Sequence, residues 1–299
     1  MIKIGLIGPG KWGLNIIKSI HKISDLEISY ICSKNKKSER NYSSNCKHTT
    51  DWKELIDSEE VDAVVIATPP ITHYEILNYA IKQKKPTFVE KPHCLSSIEA
   101  QHILQEAKKN KSIVIVDHIY LHNKSFQDLK KKLNKKNKKL FIIKSFGGNY
   151  GPFRKDISVL WDYGPHDIAL CIDLLQESPN SIKASHDNKI NDIDGETIYI
   201  ELRFKIGATA NITISNQFNQ RTRMFEVEID KNSYIFDDTK TTFIERQMIE
   251  KTPLENALIK FKDKILENKK YLDDLKLGLI VVSVLEECQK QISINHKKC

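Results

Sequence analysis

The sequence predicts an α/β domain built on a doubly wound parallel sheet, followed by an α+β domain built on a large, mostly antiparallel open sheet. A glycine turn at residues 8–13 follows an apolar strand and opens a helix, as at the start of a doubly wound sheet. Strand and helix patterns then alternate to about residue 118. Between residues 195 and 247, apolar side chains recur at every second position, which is typical of antiparallel strands. We therefore expect two domains, residues 1–119 and 120–299.

Each element follows from the spacing of its apolar residues. Continuous apolar runs predict parallel strands covered on both faces, and runs with a period of about 3.6 predict helices. In the first domain, the predicted strands are residues 2–8, 26–32, 61–67, 86–89 and 113–116, and the predicted helices are 11–23, 74–81 and 96–109. In the second domain we expect helices at 123–134, 165–175, 254–267 and 273–290, a strand at 140–147 and a hairpin turn at Gly207.

Composition and length are those of a globular protein with a sizeable core. The chain has 299 residues, of which 40% are apolar and 29% charged, and this suits two folded domains. No apolar run approaches the roughly 20 residues that cross a bilayer. The first strand leads directly into the glycine turn and leaves no room for a signal peptide. We therefore expect a cytoplasmic protein without a membrane partner.

Cysteine spacing and charge predict no metal and no nucleic-acid partner. The six cysteines include no Cys-x-x-Cys pair, so neither a disulfide framework nor a metal site is expected. Much of the +8 net charge comes from the lysines of residues 130–139. A nucleic-acid surface would interleave aromatic side chains with such lysines. Since this run has none, we interpret it as a solvated helix end and loop.

The glycine turn reads Gly-Pro-Gly-Lys-Trp-Gly and fits the phosphate-binding turn of a Rossmann domain. Gly8 allows the tight turn, Gly10 lets the backbone approach a pyrophosphate, and Gly13 lets the helix pack on the strand. The helix start, at Lys11 and Trp12, then faces the phosphates with its N–H groups. All five residues are candidate contacts of a dinucleotide cofactor.

The residues after the second strand indicate which dinucleotide binds. An acidic residue there would accept a hydrogen bond from the ribose 2′-hydroxyl of NAD and repel the 2′-phosphate of NADP. This chain has Ser33 and Lys34 instead, followed by Lys36 and Lys37, with no acid before Glu39. A hydroxyl followed by lysines suits a 2′-phosphate, so NADP is the expected cofactor. NAD is the alternative if these lysines only form a solvated loop.

Two later strand ends add polar residues on the ligand side of the sheet. Thr68, Pro69 and His73 follow the third strand, and Glu90 and Lys91 follow the fourth. Because ligands bind beyond the carboxyl ends of strands in an open parallel sheet, these five residues are candidate cofactor contacts. Lys91 is also placed to donate a hydrogen bond to a substrate hydroxyl near the nicotinamide. His73 has an alternative interpretation as a residue that caps or covers the next helix.

A carboxylate and an imidazole four residues apart complete the candidate chemistry. Asp162, Gly164, Pro165 and His166 lie in one short segment. Gly164 suits a helix cap and Pro165 the first helical position, which places His166 in the first turn. There the helix dipole disfavours the imidazolium, and a neutral ring is a suitable general base. Asp162 can orient that ring or hold a second substrate hydroxyl. The alternative for His166 is a structural role, which is common for a lone histidine at a helix start.

Together these motifs resemble the Gfo/Idh/MocA family (glucose–fructose oxidoreductase, inositol dehydrogenase and rhizopine-catabolism proteins) over essentially the whole chain. The family's Glu-Lys-Pro motif matches Glu90, Lys91 and Pro92, which implies a catalytic Lys91 and a cis bond before Pro92. Its Asp-x-Gly-x-His motif implies that His166 is the acid/base and Asp162 its partner. The resemblance further implies a homodimer or homotetramer assembled through the C-terminal sheet.

A narrower likeness is to family members that act on nucleotide-linked sugars. It rests on Asp117-His118 with Tyr120-Leu121, on Gly151-Pro152 with Arg154, on the segment from Val159 to Asp167, and on the final segment from Pro253-Leu254 through Leu285-Glu286. The substrate-binding residues that it implies are Lys91, His118, Arg154, Trp161, Asp162, Tyr163 and His166. The candidates for contact with a diphosphate are Arg154, Lys155, Arg221 and Arg223, with ordinary surface or core positions as the alternative.

The leading hypothesis is an NAD(P)-dependent oxidoreductase that transfers a hydride between nicotinamide and a ring secondary alcohol or ketone of a sugar, foremost a nucleotide-diphosphate sugar. One alternative is a dehydrogenase of a free sugar or inositol-like polyol. A second is a reductase of an imine or linear tetrapyrrole, against which the intact pair of Asp162 and His166 argues. The non-enzymatic alternative is an NADP(H)-binding sensor, which is disfavoured because both domains fit the plan of a dehydrogenase.

Overall fold

The computed structural model describes residues 1–34, 46–133, 141–154, 156–187, 195–229, 232–239 and 251–296. These residues form two compact units. The first unit comprises Met1–Ile119 and Lys251–Leu279, and the second comprises Tyr120–Glu250 and Ile280–Cys299. The residues of interest that lie outside the described part of the chain are Lys36, Lys37, Glu39, Lys135, Lys136, Lys138, Lys139 and Lys155.

The first unit contains a six-stranded sheet in which all pairings are parallel. Its strands are β1 (Ile2–Ile7), β2 (Leu26–Cys32), β3 (Lys47–Thr49), β4 (Ala63–Ile66), β5 (Thr87–Glu90) and β6 (Val114–Asp117). The spatial order β3-β2-β1-β4-β5-β6 is that of a Rossmann fold, in which ligands bind where the order reverses, beside β1. The predicted doubly wound sheet is confirmed, and β3 is an additional strand of three residues.

Helices connect the strands of the first unit and cover the sheet of the second. In chain order the helices are α1 (Lys11–Ile20), α2 (Trp52–Asp57), α3 (His73–Lys82), α4 (Ser97–Lys109), α5 (Lys124–Leu133), α6 (Val159–Leu175), α7 (Pro253–Glu267) and α8 (Asp273–His296). Side-chain caps fix the start of several of them. Asp51 accepts from the N–H of Lys53 at the start of α2, and Ser96 accepts from the N–H of Glu99 at the start of α4.

Residues 251–279, which the sequence assigned to the second domain, lie in the first unit. Leu258 and Phe261 of α7 belong to the same apolar core as β1 and α1. The Phe261 ring lies 5.8 Å from that of Phe88 on β5, between centroids. The amphipathic pattern of α7 predicts a helix but does not say which sheet the helix covers, because the contacts that decide this are distant in sequence.

The second unit contains a six-stranded sheet with mostly antiparallel pairings, as the sequence predicts. Its strands are β7 (Ile142–Tyr150), β8 (Ser181–Asp187), β9 (Thr197–Arg203), β10 (Thr209–Ser215), β11 (Gln217–Ile229) and β12 (Asn232–Asp237), in the spatial order β12-β11-β7-β10-β9-β8. Only the pairing of β7 with β10 is parallel among the described strands of this sheet. Gly207, with a φ of 87°, lies in the turn between β9 and β10, so the predicted hairpin is confirmed.

Helix α6 begins earlier than the sequence predicts. The prediction of a start at Pro165 is wrong, because Ser158 is the N-cap and Pro165 lies inside the helix. Proline lacks the N–H that would bond to the carbonyl of Trp161, yet the helix continues through it. His166 therefore lies about two turns inside the helix, beyond the first turn in which the dipole acts.

The described cysteines are buried thiols, and the described helices include no membrane span. Cys32, Cys46, Cys94, Cys171 and Cys288 are free and buried. Burial raises the pKa of the Cys46 thiol to about 11, so this thiol stays protonated at neutral pH. Within the described ranges, no helix combines the length and the apolar character that a membrane crossing requires.

Candidate active site

Two glycines of the first turn are required by close backbone approaches. Gly8 has a φ of 92°, and a Cβ on it would lie 2.8 Å from the carbonyl carbon of Ala67. A Cβ on Gly13 would lie 2.3 Å from the carbonyl oxygen of Gly8. The roles predicted for these two residues, a tight turn and close packing of helix on strand, match these distances.

Gly10 differs from its neighbours, because a Cβ on it would meet no atom within 4 Å. It is the N-cap residue of α1 and offers no side-chain acceptor to the N–H groups of the first turn. Lys11 and Trp12 follow with exposed side chains, and the first turn contains no acidic residue. The start of α1 thus offers backbone N–H groups without a side-chain cap, with open space beside Gly10. This arrangement fits the pyrophosphate of a dinucleotide.

The end of β2 carries the residues proposed to select the cofactor. The N–H of Ser33 donates to the carbonyl of Thr49 at 3.0 Å, which fixes the backbone where β2 ends. Ser33 is half-buried and Lys34 is exposed. The backbone is thus set and the Lys34 side chain is accessible to a ligand.

The loop after β4 contains His73, whose ring is held between two backbone carbonyls. Its Nδ1 lies 2.8 Å from the oxygen of Pro92, and its Nε2 lies 2.7 Å from the oxygen of Thr68. The ring is 0% exposed, and burial lowers the pKa of His73. This geometry favours the structural interpretation of His73, while Thr68 and Pro69 remain partly accessible beside it.

Glu90 and Asp117 form a buried pair of acids. Glu90 ends β5 and Asp117 ends β6, and the two are partners in the sheet register. They are 8% and 1% exposed. Burial, and then the neighbouring Asp117, raise the pKa of Glu90 well above its ordinary value. Burial also raises the pKa of Asp117 to about 7, so the pair retains a proton at neutral pH.

Lys91 follows this pair directly and is half-buried. Its positive charge opposes the rise in the pKa of both Glu90 and Asp117. The peptide bond between Lys91 and Pro92 is cis, as the resemblance implied. Glu90 is thus better described as a buried acid than as a direct cofactor contact, whereas Lys91 keeps an accessible side chain.

Two histidines near these strand ends are buried. His118, a candidate substrate contact, is 3% exposed and presents little surface to a ligand. His93 is 1% exposed, and burial lowers its pKa to about 3, so it is neutral at physiological pH. Gly278 of α8 gives this ring room, since a Cβ there would lie 2.8 Å from it.

In the second unit, Asp162 and His166 lie one helical turn apart on α6 and therefore on the same face. Both side chains are half-buried. The ring of His166 lies 4.9 Å from that of Tyr120, between centroids, with the two planes at 83°. The two residues thus share one face of the helix, and the roles predicted for them stay predictions.

A small polar pocket of about 40 Å³ opens beside Asp162. Arg154 and Tyr163, both predicted substrate contacts, line it together with Glu196 and Asn216, which the sequence did not indicate. Trp161 is half-buried nearby in sequence but does not line this pocket. Carboxylate, amide, phenol and guanidinium groups in one pocket suit a ligand that carries several hydroxyls.

The arginines proposed for a diphosphate are each paired with a carboxylate. Arg154 forms a bidentate pair with Asp156 at 3.0 and 2.6 Å. Arg221 is bonded to Asp238, and Arg223 lies 2.7 Å from Asp167. Arg223 is also 3% exposed, so it belongs to the core rather than to a ligand surface. Of the three, Arg154 lines the pocket.

Sequence reasoning missed the partners of Glu90 and His166. An acid at the end of each of two buried strands was a usable signal for the pair of Glu90 and Asp117, because neighbouring parallel strands end at one edge. Tyr120 belongs to the likeness with enzymes that act on nucleotide sugars, but its contact with His166 joins residues 46 positions apart in the chain, so spacing does not indicate it. Among the described residues, no cluster of His, Cys, Asp and Glu is arranged to hold a metal ion.

Comparison with known proteins agrees with this geometry. Residues 2–118 match the model of an oxidoreductase family with an NAD-binding Rossmann fold. This part of the chain carries the NAD-binding Rossmann fold of the Gfo/Idh/MocA family. A putative oxidoreductase from Magnetospirillum magnetotacticum, known from its crystal structure, is 29% identical, and the match covers 96% of this chain and 99% of that one with a TM-score of 0.85.

Relatives in the Gfo/Idh/MocA family include a dehydrogenase of a cyclic polyol. Myo-inositol 2-dehydrogenase from Thermotoga maritima is 25% identical over 75% of this chain and 72% of its own length. An uncharacterised oxidoreductase from Streptococcus pneumoniae is 29% identical over 40% of this chain, and the match spans 32% of that protein's length. The chain thus spans about a third of the length of this relative and about three quarters of that of the inositol dehydrogenase.

Proposed function

We propose that the protein is an NAD(P)-dependent dehydrogenase that oxidises a secondary alcohol on the ring of a cyclic polyol or sugar, or reduces the corresponding ketone. The observation that carries the proposal is the pair of Asp162 and His166 on one face of α6, of which Asp162 lines a polar pocket. The glycine turn with its open N-terminal helix end supplies the cofactor side. Similarity to a myo-inositol 2-dehydrogenase supports the substrate class.

In this proposal, His166 accepts the proton of the substrate hydroxyl, and Asp162 orients its ring or binds a neighbouring hydroxyl. A bound nicotinamide supplies the hydride acceptor, so that the alcohol loses one hydride and one proton. Lys91 is the second catalytic residue and donates a hydrogen bond to the reacting oxygen. Gly8, Gly10 and Gly13 shape the backbone that would hold the pyrophosphate, and Ser33 and Lys34 would meet the adenosine ribose.

The pocket beside Asp162 favours an uncharged ring over a diphosphate. Its one guanidinium, that of Arg154, is bonded to Asp156 and lies 3.6 Å from Asp162. A diphosphate would have to displace these carboxylates, while ring hydroxyls can both donate to them and accept from the arginine. We therefore place free cyclic polyols and sugars first.

A nucleotide-diphosphate sugar is the second candidate. Arg154 favours it, because its side chain is 38% exposed and lines the pocket. The narrower likeness of residues 117–121 and 151–167 to enzymes acting on nucleotide sugars points the same way. In that case Arg154 would exchange Asp156 for a phosphate.

A substrate screen decides between these candidates. Purified protein is incubated with NAD or NADP and a panel of inositols, free hexoses and nucleotide-diphosphate sugars, and absorbance of the reduced cofactor is followed. We expect turnover of a cyclic polyol or free sugar. Turnover of nucleotide sugars alone would move the assignment to the second candidate, and turnover of none in either direction would refute both. Activity on imines or linear tetrapyrroles would indicate the reductase alternative.

Two further proposals concern the cofactor and the assembly. We propose that NADP(H) binds more tightly than NAD(H), because Ser33 and Lys34 occupy the position of the acid that would select NAD. We also propose a homodimer or homotetramer formed through the open face of the second sheet. The exposed side chains of Ile142 and Tyr199 support this, being 43% and 41% exposed there. Light scattering of the wild type and of Ile142→Glu tests it, since a charge in the interface should dissociate the oligomer.

A further inference from the structure

The ring of His166 has an aromatic neighbour, Tyr120, and the sequence analysis did not predict their contact. Their ring centroids are 4.9 Å apart and their planes are nearly perpendicular, at 83°. This is an edge-to-face arrangement, which is the favoured geometry for two aromatic rings. Both side chains are only half-buried, so the contact is not enforced by general burial in the core. It fixes the plane of the imidazole on one side.

The Tyr120 ring is in turn in contact with the guanidinium of Arg223. The guanidinium carbon of Arg223 lies 4.5 Å from the centre of the Tyr120 ring, which is a cation–π contact. Arg223 is 3% exposed, so its charge is removed from water and the contact is strengthened accordingly. A flexible surface arginine could not fix the ring in this way.

Arg223 is fixed in turn by Asp167, the residue that follows His166 on α6. Its Nη1 donates to Oδ2 of Asp167 at 2.7 Å, and Ser145 donates to Oδ1 of the same carboxylate at 2.6 Å. Asp167 and Ser145 are 0% exposed. Gly147 leaves the space for this ion pair, because a Cβ on it would lie 2.6 Å from both Arg223 and Asp167.

These contacts link two neighbouring residues of α6 through side chains outside the helix. Asp167 is bonded to Arg223, Arg223 contacts Tyr120, and Tyr120 contacts His166. A buried ion pair whose members are hydrogen-bonded resists displacement, because separating it leaves a charge without a partner in the core. From this geometry we propose that Tyr120 is a positioning residue that holds the imidazole of His166 in its working orientation. The inference rests on the proposed role of His166 as the acid/base.

Variants of Tyr120 test the proposal more cleanly than variants of the ion pair, whose loss would destabilise the core. Tyr120→Phe keeps the ring that contacts both Arg223 and His166, and Tyr120→Leu removes it. We expect Tyr120→Leu to lower kcat by about 10²-fold, since misplacing a catalytic group by about 1 Å has an effect of this size. Its cofactor dissociation constant and melting temperature should stay near wild type, while Tyr120→Phe keeps most of the activity.

The contact between the Tyr120 and His166 rings can also be measured by NMR, without any turnover. The Cε1–H resonance of His166 is identified by its absence from the spectrum of His166→Asn. This resonance senses the ring current of Tyr120, so it should shift in Tyr120→Leu and move little in Tyr120→Phe.

The outcomes separate this inference from the proposed function. If His166→Asn is inactive but Tyr120→Leu keeps the wild-type kcat and an unshifted His166 resonance, Tyr120 has no positioning role and the inference is overturned. If His166→Asn is fully active, the proposed acid/base role falls and the positioning role falls with it. In that case the resonance still shows whether the two rings touch.

Discussion

Glu90 and Asp117 end neighbouring parallel strands as register partners, and both carboxyl groups are buried. Burial raises the pKa of both groups, and Asp117 raises the pKa of Glu90 further, whereas a hydrogen bond from Glu90 partly offsets the rise at Asp117. Lys91 and Asp274 are the other charged groups that act on Asp117. The nearby Asp274 is bonded to Lys260 at 2.9 Å, so its charge is largely compensated.

This pair gives folding a specific pH dependence. Burial raises the pKa of Asp117 from 3.8 to about 7, so the folded state binds more protons than the unfolded state between these values. Stability from this source is present at low pH and is lost as the pH rises from about 3.8 to about 7. In urea titrations over this range, Asp117→Asn should gain stability relative to wild type, by up to about 1.4 kcal/mol per pH unit.

The comparison with wild type is needed because His93 acts in the opposite sense. Burial lowers the pKa of His93 from 6.5 to about 3, so this residue contributes stability that is lost as the pH falls through that interval. His93 is unchanged in Asp117→Asn, and its contribution cancels in the difference. Parallel stability curves for the two proteins would show that Asp117 titrates normally.

The second prediction concerns His166. If it is the general base, His166→Asn should lower turnover by about 10²–10⁴-fold and leave the cofactor dissociation constant nearly unchanged. Asp162→Asn should cause a smaller loss, because its amide still bonds to a hydroxyl but no longer supports a developing imidazolium. Steady-state kinetics and cofactor titration by fluorescence measure both effects. Wild-type turnover by His166→Asn would show that another residue accepts the proton.

The third prediction concerns Lys91. Lys91→Ala should lower kcat and also raise KM, because a donor to the reacting oxygen acts in the bound substrate as well as in the transition state. Lys82→Ala, an exposed lysine on α3, is the matched control and should behave as wild type. An unchanged KM in Lys91→Ala, together with a lowered kcat, would limit Lys91 to the transition state.

The fourth prediction concerns cofactor choice. Lys34→Ala should weaken NADP(H) binding by roughly 10-fold, since a charge-assisted hydrogen bond to the 2′-phosphate is lost, and should leave NAD(H) binding unaffected. Lys18→Ala on the exposed side of α1 serves as the control. Calorimetric titration with both cofactors gives the comparison. Tighter binding of NAD(H) by the wild type would reverse the assignment.

The fifth prediction separates two glycines of the same turn. Gly13→Ala should destabilise the protein by about 1–3 kcal/mol, because its Cβ would lie 2.3 Å from the carbonyl oxygen of Gly8 and the backbone must shift. Gly10→Ala should cost little stability, apart from a poorer N-cap. Its methyl group would instead fill the space in front of α1 and weaken cofactor binding. Equal cofactor affinity in Gly10→Ala and wild type would contradict a phosphate at this position.

Much of the fold could be predicted because its information is local. The strands β1, β2, β4, β5 and β6 each contain an apolar run, and the spacing of apolar residues in the longer helices gives their extent to within a few residues. Short elements carry too little pattern, which is why β3 and α2 were not predicted. The start of α6 was misplaced because Pro165 suits a first helical position as well as a site inside a helix.

The candidate site divides in the same way. Asp162 and His166 could be singled out from sequence, but their place on one helix face follows only from the start of α6 at Val159, which the sequence analysis misplaced. The pairing of Arg223 with Asp167 joins a strand to a helix across 56 residues. Such a contact depends on the register of β11 in the sheet, which periodicity alone does not fix. Hence Arg223 was assigned to a ligand although it belongs to the core.

The return of residues 251–279 to the first unit bears on how the protein is synthesised. On the ribosome, Met1–Ile119 emerges first, but Leu258 and Phe261 of its core are translated only after the whole of Tyr120–Glu250. The first unit of the nascent chain therefore exposes part of its apolar core until the intervening unit has been made. An exposed apolar surface favours aggregation and chaperone binding during that interval.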